Sequence, residues 1–293
     1  MSRAESLREW AREVFGGADL GDARRTLRLV RLATASAQRP GGKVTHVCRT
    51  SGERQGAYDL LNSKRFGAGA IHSAVVRSTA LRCAEQELAF VAVDGTSLSL
   101  TDRAGEKDFG SIGARHMGVR GLKFLNAYAI GADGTPLGLL QQFCWKRPTE
   151  LPEPETAEPK ESCHWVSVVE NASLLLSAAG ATGWFQVDRE GDSVALLQAL
   201  NSSGHFFTAR SSHGARRIVG SSNRRRLRHH ASRCEVRYWA EIRVPGNAGR
   251  RRRLAKVCVR TTSVVLDLVE PSEGKRVELA VDVVDVQRVV FGY

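Results

Sequence analysis

The spacing of apolar residues predicts a helical region over the first seventy residues. Residues 4–15 place Leu7, Trp10 and Val14 at helical intervals. The same period, with Gly and Pro as stop signals, predicts three further helices. They cover residues 22–39, 53–61 and 69–87. The second helix carries four arginines on or beside its polar side, which are Arg24, Arg25, Arg28 and Arg31. A bundle with arginine-lined faces is therefore expected.

The pattern then changes to short apolar runs. Residues 88–94 form a continuous apolar run that ends in Asp94, which is typical of a buried strand. Residues 124–130 and 137–145 are two further strand candidates, and the Ala-Asp-Gly between them favours a hairpin turn. Three consecutive strands predict an antiparallel meander.

A βββαβαβ order follows from the next segments. A loop rich in proline and glutamate precedes a helix over residues 160–179, and an apolar strand over residues 183–188 ends in Asp188. A helix over residues 193–200 and a strand over residues 205–210 complete the order. This alternation predicts the α/β class, with a mixed sheet flanked by helices.

Charge points to a polyanionic partner. Lys and Arg exceed Asp and Glu by 43 to 31, a formal net charge of +12. Residues 210–260 alone hold sixteen of these basic residues against Glu235 and Glu241. Strands are predicted there over residues 235–244 and 254–268. Nucleic acid is the first class of partner that such an excess indicates.

Composition excludes other classes. With 42% hydrophobic and 25% charged residues, the chain is not a disordered one. No apolar stretch approaches the roughly 20 residues of a membrane span, and no secretory signal follows the first residues. The six cysteines form no Cys-x-x-Cys pair, so reduced cysteines in a cytoplasmic protein are expected rather than a zinc site or a disulfide framework.

Two aspartates are the first candidates for chemistry. Asp94 and Asp188 each follow a predicted buried strand directly. If the two strands are neighbours, the carboxylates meet, and two oxygen ligands close together suit Mg²⁺ in phosphoryl transfer. The alternative is that each aspartate only begins a turn. The βββαβαβ order with acids after its first and fourth strands is the RNase H-like arrangement.

The sequence resembles bacterial DDE-type transposases of the insertion-sequence-4 family, in the group that contains the cut-and-paste composite-transposon enzyme. The resemblance spans roughly residues 5–270, and its strength is in the order and spacing of short motifs. They stand at residues 20–26, 55–58, 93–99, 110–113, 187–192 and 209–211. It implies an all-α DNA-binding domain over residues 1–70 and an RNase H-like catalytic domain over residues 71–293. A basic β-rich insertion is expected at about 212–270, before an atypical tail at 271–293.

The resemblance also implies roles for single residues. Asp94 and Asp188 match the first two catalytic acids and metal ligands, with Mg²⁺ as the cofactor and Mn²⁺ as its substitute. DNA contacts are implied for the arginines of the helical domain, for Arg210 and for the insertion. These residues are Arg24, Arg25, Arg28, Arg210, Arg224, Arg225, Arg226, Arg250, Arg251, Arg252 and Arg253. Double-stranded DNA, as transposon ends and target, is the implied partner, bound by a homodimer on paired ends.

The third catalytic acid is not found. The family places a Glu in a Tyr-x-x-Arg-x-x-x-Glu pattern after the insertion, and no such pattern occurs here. Glu270, Glu273 and Glu278 are weak substitutes. From residue 274 the resemblance stops abruptly, which suggests a frameshift near residue 275 and a C-terminally truncated product. The nucleotide sequence of the gene tests this, since a family-like helix should then appear in another reading frame.

Two functions are therefore carried forward. The first is a transposase that binds inverted-repeat DNA ends and performs Mg²⁺-dependent strand cleavage and transfer. The second is a non-catalytic DNA-binding remnant or repressor of transposition, which the missing acid favours. A nuclease acting on RNA–DNA hybrids is a weaker third, because it leaves the arginine-lined helices unexplained.

Overall fold

The computed structural model describes residues 3–102, 106–114, 117–147, 161–220, 226–246, 249, 251–270 and 274–288. The chain divides into two compact units. The first comprises Met1–Val187 and Ser203–Thr208, and the second comprises Asp188–Ser202 and Ala209–Tyr293. The first unit holds both the N-terminal helices and the first sheet, so the domain boundary proposed at residue 70 stays a prediction.

The N-terminal helices confirm the helical period of the sequence. They are α1 (Arg3–Phe15), α2 (Ala23–Gln38), α3 (Val44–Val47), α4 (Ser51–Leu61) and α5 (Ala68–Ala84). Only the single turn of α3 was not predicted. A buried cluster of Leu20, Leu29, Leu60 and Ala74 joins these helices through their apolar faces.

The first sheet follows α5. Its strands are β1 (Ala89–Ser99), β2 (Gly110–Ser111), β3 (Arg120–Ile130), β4 (Pro136–Trp145), β5 (Gly183–Val187) and β6 (Phe206–Ala209), with α6 (Glu161–Ala178) between β4 and β5. Along the sheet the order is β4, β3, β1, β5, β6, and the short β2 shares the β4 side of β3. The strands β1, β3 and β4 are antiparallel, while β5 runs parallel to β1. The predicted meander and the crossover to a parallel strand are both present.

One face of this sheet forms the core. Val91, Val93, Leu125 and Ala127 are buried on it. Helix α6 packs against β3 and β4, and α5 packs against β4. Successive residues of a strand point to opposite faces. Asp94, which follows Val93, therefore points away from the helices and is exposed.

Ion pairs from Arg147, which follows β4, and from Lys123 of β3 hold Glu161, the first residue of α6. The Glu161 carboxylate accepts hydrogen bonds from Arg147 Nε at 2.7 Å, Arg147 Nη2 at 2.9 Å and Lys123 Nζ at 2.8 Å. Hydrogen bonds from Arg147, outweighing desolvation, lower the pKa of Glu161 to about 2. The first residue of α6 is thereby fixed beside β3 and β4.

The second unit is built around a long central strand. Its elements are a 3-10 turn at Arg189–Gly191, α7 (Val194–Ser202), β7 (Arg217–Ile218), α8 (Leu227–Ala231), β8 (Val236–Val244), β9 (Arg253–Val269) and β10 (Arg276–Arg288). All pairings in its sheet are antiparallel: β10 pairs with one edge of β9, and β7 and β8 pair with the other. The β-rich character expected for this region is present.

The region treated as an atypical tail contains regular structure. Arg276–Arg288 pairs with Val257–Val269 of β9 over thirteen consecutive residues. Leu279 is buried on this strand, opposite Leu266. The second sheet thus continues past the predicted end of the insertion at residue 270. The cause is the alternation of Val277, Leu279, Val281 and Val283, a period-2 pattern.

Candidate nucleic-acid interface

The motif at residues 20–26 is the start of α2. Gly21 has a φ of +69°, a conformation that favours glycine. Asp22 caps the helix, because its Oδ1 accepts from the amide of Arg24 at 2.8 Å. Arg25 Nη1 donates to the Leu20 carbonyl and Thr26 Oγ1 to the Ala18 carbonyl, each at 2.9 Å. Much of the motif therefore fixes the angle at which the chain enters α2.

Three arginines of α2 form an exposed row. Arg24, Arg28 and Arg31 are exposed and stand at positions i, i+4 and i+7 of one helix face. Leu29 and Val30 are buried on the other side. No ion pair within the described ranges involves these three guanidinium groups. The arginine row can therefore contact an external anion without breaking a described ion pair.

The glycine of the second motif makes room for one member of this row. A Cβ atom on Gly56 of α4 would lie 3.3 Å from Arg28 Nε and 3.5 Å from Arg28 Cδ. The Arg28 side chain thus crosses α4 at Gly56, and the neighbouring Ala57 is buried. The motif at residues 55–58 therefore positions Arg28, which sequence reasoning did not foresee.

A capping box fixes the start of α4. Glu53 accepts hydrogen bonds from the amides of Arg49 at 2.8 Å and Thr50 at 3.0 Å, and Thr50 Oγ1 accepts from the Glu53 amide at 3.2 Å. The hydrogen bonds from the Thr50 and Arg49 amides lower the pKa of Glu53. The helix that supports Arg28 thus has a defined first turn.

Replacing Thr50 by alanine is expected to destabilise α4 by about 1 kcal/mol, because the Glu53 amide loses its acceptor. Hydrogen exchange of the α4 amides measures this effect. Thr45→Ala, at an exposed position of α3, is the matched control. Equal exchange in the two variants would contradict the role of the cap.

The two candidate carboxylates follow neighbouring residues of the sheet. Val93 and Val187 are register partners in the parallel pair of β1 and β5, and the next residues along the chain are Asp94 and Asp188. Both are exposed. Asp94 Oδ1 accepts from the amide of Gly95 at 2.9 Å, and Asp188 Oδ1 accepts from the amide of Glu190 at 2.9 Å. The alternative reading of Asp188, as the start of a turn, is thus also present in the structure.

Among the described residues, no group of three His, Cys, Asp or Glu side chains is arranged to hold a metal ion. Of the weak substitutes for the third acid, Glu270 follows β9 and Glu278 lies on β10, where it pairs with Asp267. Glu273 lies outside the described residues. The described chain therefore adds no third carboxylate to Asp94 and Asp188.

A buried carboxylate organises the loop after β6. Asp192 is 5% exposed, and its Oδ2 accepts from the Ser212 amide at 2.6 Å, the His213 amide at 3.1 Å and the hydroxyls of Ser211 and Ser212. Arg216 forms an ion pair with Oδ1 and donates to the Asp192 carbonyl at 3.1 Å. Arg210, the exposed candidate for a phosphate contact, stands directly before this anchored segment.

The pKa of Asp192 reports how strongly the carboxylate is held. Burial by itself would raise this pKa, but the amide of Ser212 and the charge of Arg216 outweigh burial and lower it. Asp192 is therefore ionised inside the unit. Sequence reasoning missed this structural role of Asp192, because its partners Ser212, His213 and Arg216 are some twenty residues away along the chain.

The basic residues of the second unit are mostly exposed. Arg226 precedes α8 and pairs with Arg217 in an isolated β-bridge, while Arg251 and Arg252 lead into β9 and are exposed. Arg253, the first residue of β9, is half-buried. The remaining candidates, Arg224, Arg225 and Arg250, lie outside the described residues.

Two of the tryptophans are exposed, although tryptophan is a residue type that is highly buried on average. Trp10 is 38% exposed and Trp239 is 53% exposed. Trp239 lies beside Lys256, whose Nζ is 5.4 Å from the ring centroid. Trp165 is buried. Trp145 packs between Lys123 and His164.

Residues 7–66 match the family model described as transposase DNA-binding. The match begins in α1 and ends after α4, so it includes the arginine row, the α2 start motif and the capping box. It supports a transposase with DNA as its partner.

Within the described part of the chain, no helix has the length and apolarity needed to cross a membrane.

Proposed function

We propose that the protein is a transposase of the insertion-sequence-4 type, which binds the inverted-repeat ends of its transposon through the helical N-terminal region. One observation carries this proposal: the residues that match a transposase DNA-binding family include an exposed row of arginines, Arg24, Arg28 and Arg31. A guanidinium forms paired hydrogen bonds with phosphate oxygens, so such a row suits a DNA backbone.

We assign Arg25 a second function in the same interface. One of its N–H groups is bound to the Leu20 carbonyl, but a guanidinium has five donors. The side chain can hold the start of α2 and still contact a phosphate. In the second unit, we assign separate DNA contacts to Arg210 and to the exposed Arg226, Arg251 and Arg252.

The first sheet supports an RNase H-like catalytic core. Its strands follow the order β4, β3, β1, β5, β6, with three antiparallel strands and a parallel fourth. Ligands of sheets with parallel strands gather beyond the carboxyl ends of those strands. Asp188 follows the carboxyl end of β5, whereas Asp94 lies inside β1, which continues to Ser99; the residues that precede them, Val93 and Val187, are register partners.

Mg²⁺, or Mn²⁺ in its place, is the cofactor we propose for strand cleavage. In proteins Mg²⁺ is held by one or two carboxylates together with water and phosphate oxygens, and we assign Asp94 and Asp188 as its proposed protein ligands. Bound there, it supplies an activated water and neutralises charge at the scissile phosphate. A second ion needs a further ligand, which the described residues do not provide.

The second candidate function is DNA binding without cleavage, as a remnant or repressor of transposition. The observation that favours it is the lack of a third acid near the pair in the described chain. Both candidates share the DNA-binding surface and differ only in chemistry. A homodimer on paired DNA ends and capture of target DNA belong to the first candidate alone.

A binding and cleavage assay separates the candidates. The protein is incubated with Mg²⁺ or Mn²⁺ and with duplex DNA that carries the inverted repeats flanking the gene, beside Asp188→Asn. Asparagine keeps an acceptor for the Glu190 amide and removes the charge. Glu190→Ala, which changes an exposed neighbouring acid, is the matched control.

Each outcome has a distinct meaning. Cleavage by the wild-type chain and by Glu190→Ala, lost in Asp188→Asn, supports the transposase. A gel shift without cleavage supports the non-catalytic protein. Absence of any shift contradicts both functions.

A further inference from the structure

The buried carboxylate of Asp192 joins two stretches of the second unit that are distant in sequence. Its own stretch follows the 3-10 turn at Arg189–Gly191. Its Oδ2 holds the other stretch by accepting from the backbone amides of Ser212 at 2.6 Å and His213 at 3.1 Å. Because these donors belong to the backbone, the carboxylate fixes the path that the chain takes directly after Arg210.

The loop at residues 211–216, here called the anchored loop, also holds α8. The amide of Leu227 donates to the Arg216 carbonyl at 2.8 Å, and the amide of Arg228 donates to the Gly214 carbonyl at 3.0 Å. A Cβ atom on Gly214 would lie 3.1 Å from Arg228 Cβ and 3.2 Å from Arg228 Cδ. Glycine therefore leaves the room that this side chain occupies, and the position of α8 depends on the anchored loop.

Basic side chains surround the anchored loop on its outer side. Arg210 precedes it, and Arg226 and Arg228 lie at the start of α8; all three are exposed. The one acid that the loop contacts is directed inward, since the Asp192 side chain is 2% exposed and its partner Arg216 is 9% exposed. The inner pair is neutral as a whole, so the outer arginines keep their positive field.

The anchored loop and α8 line a pocket of about 630 Å³. Gly214 and Ala215 line it from the loop, and Arg226 and Arg228 line it from α8 and the residue before that helix. Its described lining includes no acidic residue. An arginine pair on a concave wall suits a phosphate group, because each guanidinium can donate two parallel hydrogen bonds to phosphate oxygens.

We propose that Asp192 is a positioning residue for DNA binding, which holds the anchored loop so that Arg210 and the arginines of α8 meet the phosphates of a DNA backbone. Asp192 itself does not touch DNA. It acts by fixing the loop before DNA arrives, which reduces the conformational freedom that binding must remove. The inference rests on the proposed function, because it takes DNA as the partner.

The proposal predicts an effect opposite in sign to that of simple electrostatics. Asp192→Asn raises the net charge of the chain by one, and a more positive protein attracts DNA more strongly at long range. If Asp192 positions the arginines, the same substitution weakens DNA binding. The direction of the change in affinity therefore separates a positioning role from a mere contribution to the overall charge.

The test is a double-mutant cycle of Asp192→Asn and Arg210→Ala in the full chain. Fluorescence anisotropy with labelled inverted-repeat DNA measures affinity at several salt concentrations. Arg210→Ala removes one phosphate contact, which lowers the salt slope by about 0.9 and weakens binding at 0.1 M salt by about 8-fold. Asp192→Asn is expected to weaken binding at least as much. In that background Arg210→Ala should add less than about 2-fold, because the contact is already lost.

Two controls separate positioning from charge and from stability. Glu190→Gln removes the same charge from an exposed acid two residues away, and it should bind DNA at least as tightly as the wild type. Asp285→Asn breaks another largely buried ion pair of the second unit, formed with Arg260, and it should keep the wild-type salt slope. Hydrogen exchange of the β9 amides shows whether each variant is folded.

A milder variant covers the case in which Asp192→Asn does not fold. The combined Ser211→Ala and Ser212→Ala chain loses two hydroxyl donors to Asp192 Oδ2, at 3.3 and 3.1 Å, and keeps the ion pair with Arg216. It is expected to weaken DNA binding by at least about 2-fold, the limit within which independent sites add. Wild-type affinity in this folded variant would contradict the positioning role.

The remaining outcomes are equally decisive. Unchanged or tighter binding by Asp192→Asn overturns the proposal, and so does an undiminished effect of Arg210→Ala in its background. A salt slope lowered equally by Asp285→Asn would assign the effect to stability and overturn it as well. Wild-type binding that is insensitive to Arg210→Ala overturns this inference alone, whereas a wild-type chain that does not bind inverted-repeat DNA overturns the proposed function together with it.

Discussion

Asp192→Ala is expected to lower the free energy of unfolding of the second unit by about 3–5 kcal/mol, because it leaves Arg216 buried without its counter-charge. The Arg216 side chain is 9% exposed and that of Asp192 is 2% exposed, so water cannot replace the lost carboxylate. The amides of Ser212 and His213 lose their acceptor as well. Hydrogen exchange of the β9 amides under increasing urea measures this loss in the second unit.

Glu190→Ala provides the control for that measurement. It removes an exposed carboxylate two residues away, and its effect should stay within about 0.5 kcal/mol, as for most surface substitutions. Asp192→Asn should lie between the two, because it keeps acceptors but loses the charge. An Asp192→Ala variant as stable as the Glu190→Ala control would show that the ion pair adds nothing to the fold.

The pH dependence of the difference gives a second test. The pKa of Asp192 is lowered in the folded chain, so its contribution is fully present above the unfolded value of about 3.9. The contribution is lost as the pH falls through the lower, folded value. The stability gap between wild type and Asp192→Ala should therefore shrink below about pH 4. A gap that widens on acidification would contradict this assignment.

Periodicity allowed most of the elements to be predicted. The apolar run before Asp94 and the turn at Asp133-Gly134 identified β1, β3 and β4, because each pattern is local and matches the geometry of a strand or hairpin. Strand β10 was missed, although its period-2 pattern is visible. Its residues were judged by a resemblance that ends near residue 274, rather than by their own alternation.

The parts of the candidate interface that escaped prediction depend on contacts distant in sequence. Asp192 reads as a surface acid until Ser212 and Arg216 fold onto it. Gly56 reads as a helix-weakening residue until Arg28 crosses it. Residue type alone favours a buried position for Trp239, but β8 carries it on an exposed face beside Lys256. Such roles are decided by tertiary packing and have no local signature.

The combined substitution of Arg24, Arg28 and Arg31 by alanine is expected to weaken binding to inverted-repeat DNA by about 500-fold at 0.1 M salt. The estimate follows from counterion release, in which each phosphate contact contributes about 0.9 to the slope of log K against log salt. Three lost contacts reduce the magnitude of the slope by about 2.7. Relative to 1 M salt, this lowers log K at 0.1 M salt by about 2.7. Fluorescence anisotropy with labelled DNA, titrated at several salt concentrations, measures both quantities.

The control for that triple variant has the same change in net charge elsewhere on the first unit. Arg8, Arg12 and Arg77 are also exposed, and their combined replacement by alanine tests whether overall charge alone drives binding. If long-range attraction alone drove binding, the two triple variants would lose affinity equally. If the arginines contact phosphates directly, the salt slope falls only in the α2 variant. The salt slope thus decides whether these helices form the DNA interface. Hydrogen exchange checks that the variant is folded, because a variant that merely unfolded the region would lose the protection of its α2 amides. A triple α2 variant with an unchanged slope would remove the arginine row from the interface and with it the observation on which DNA-end binding depends.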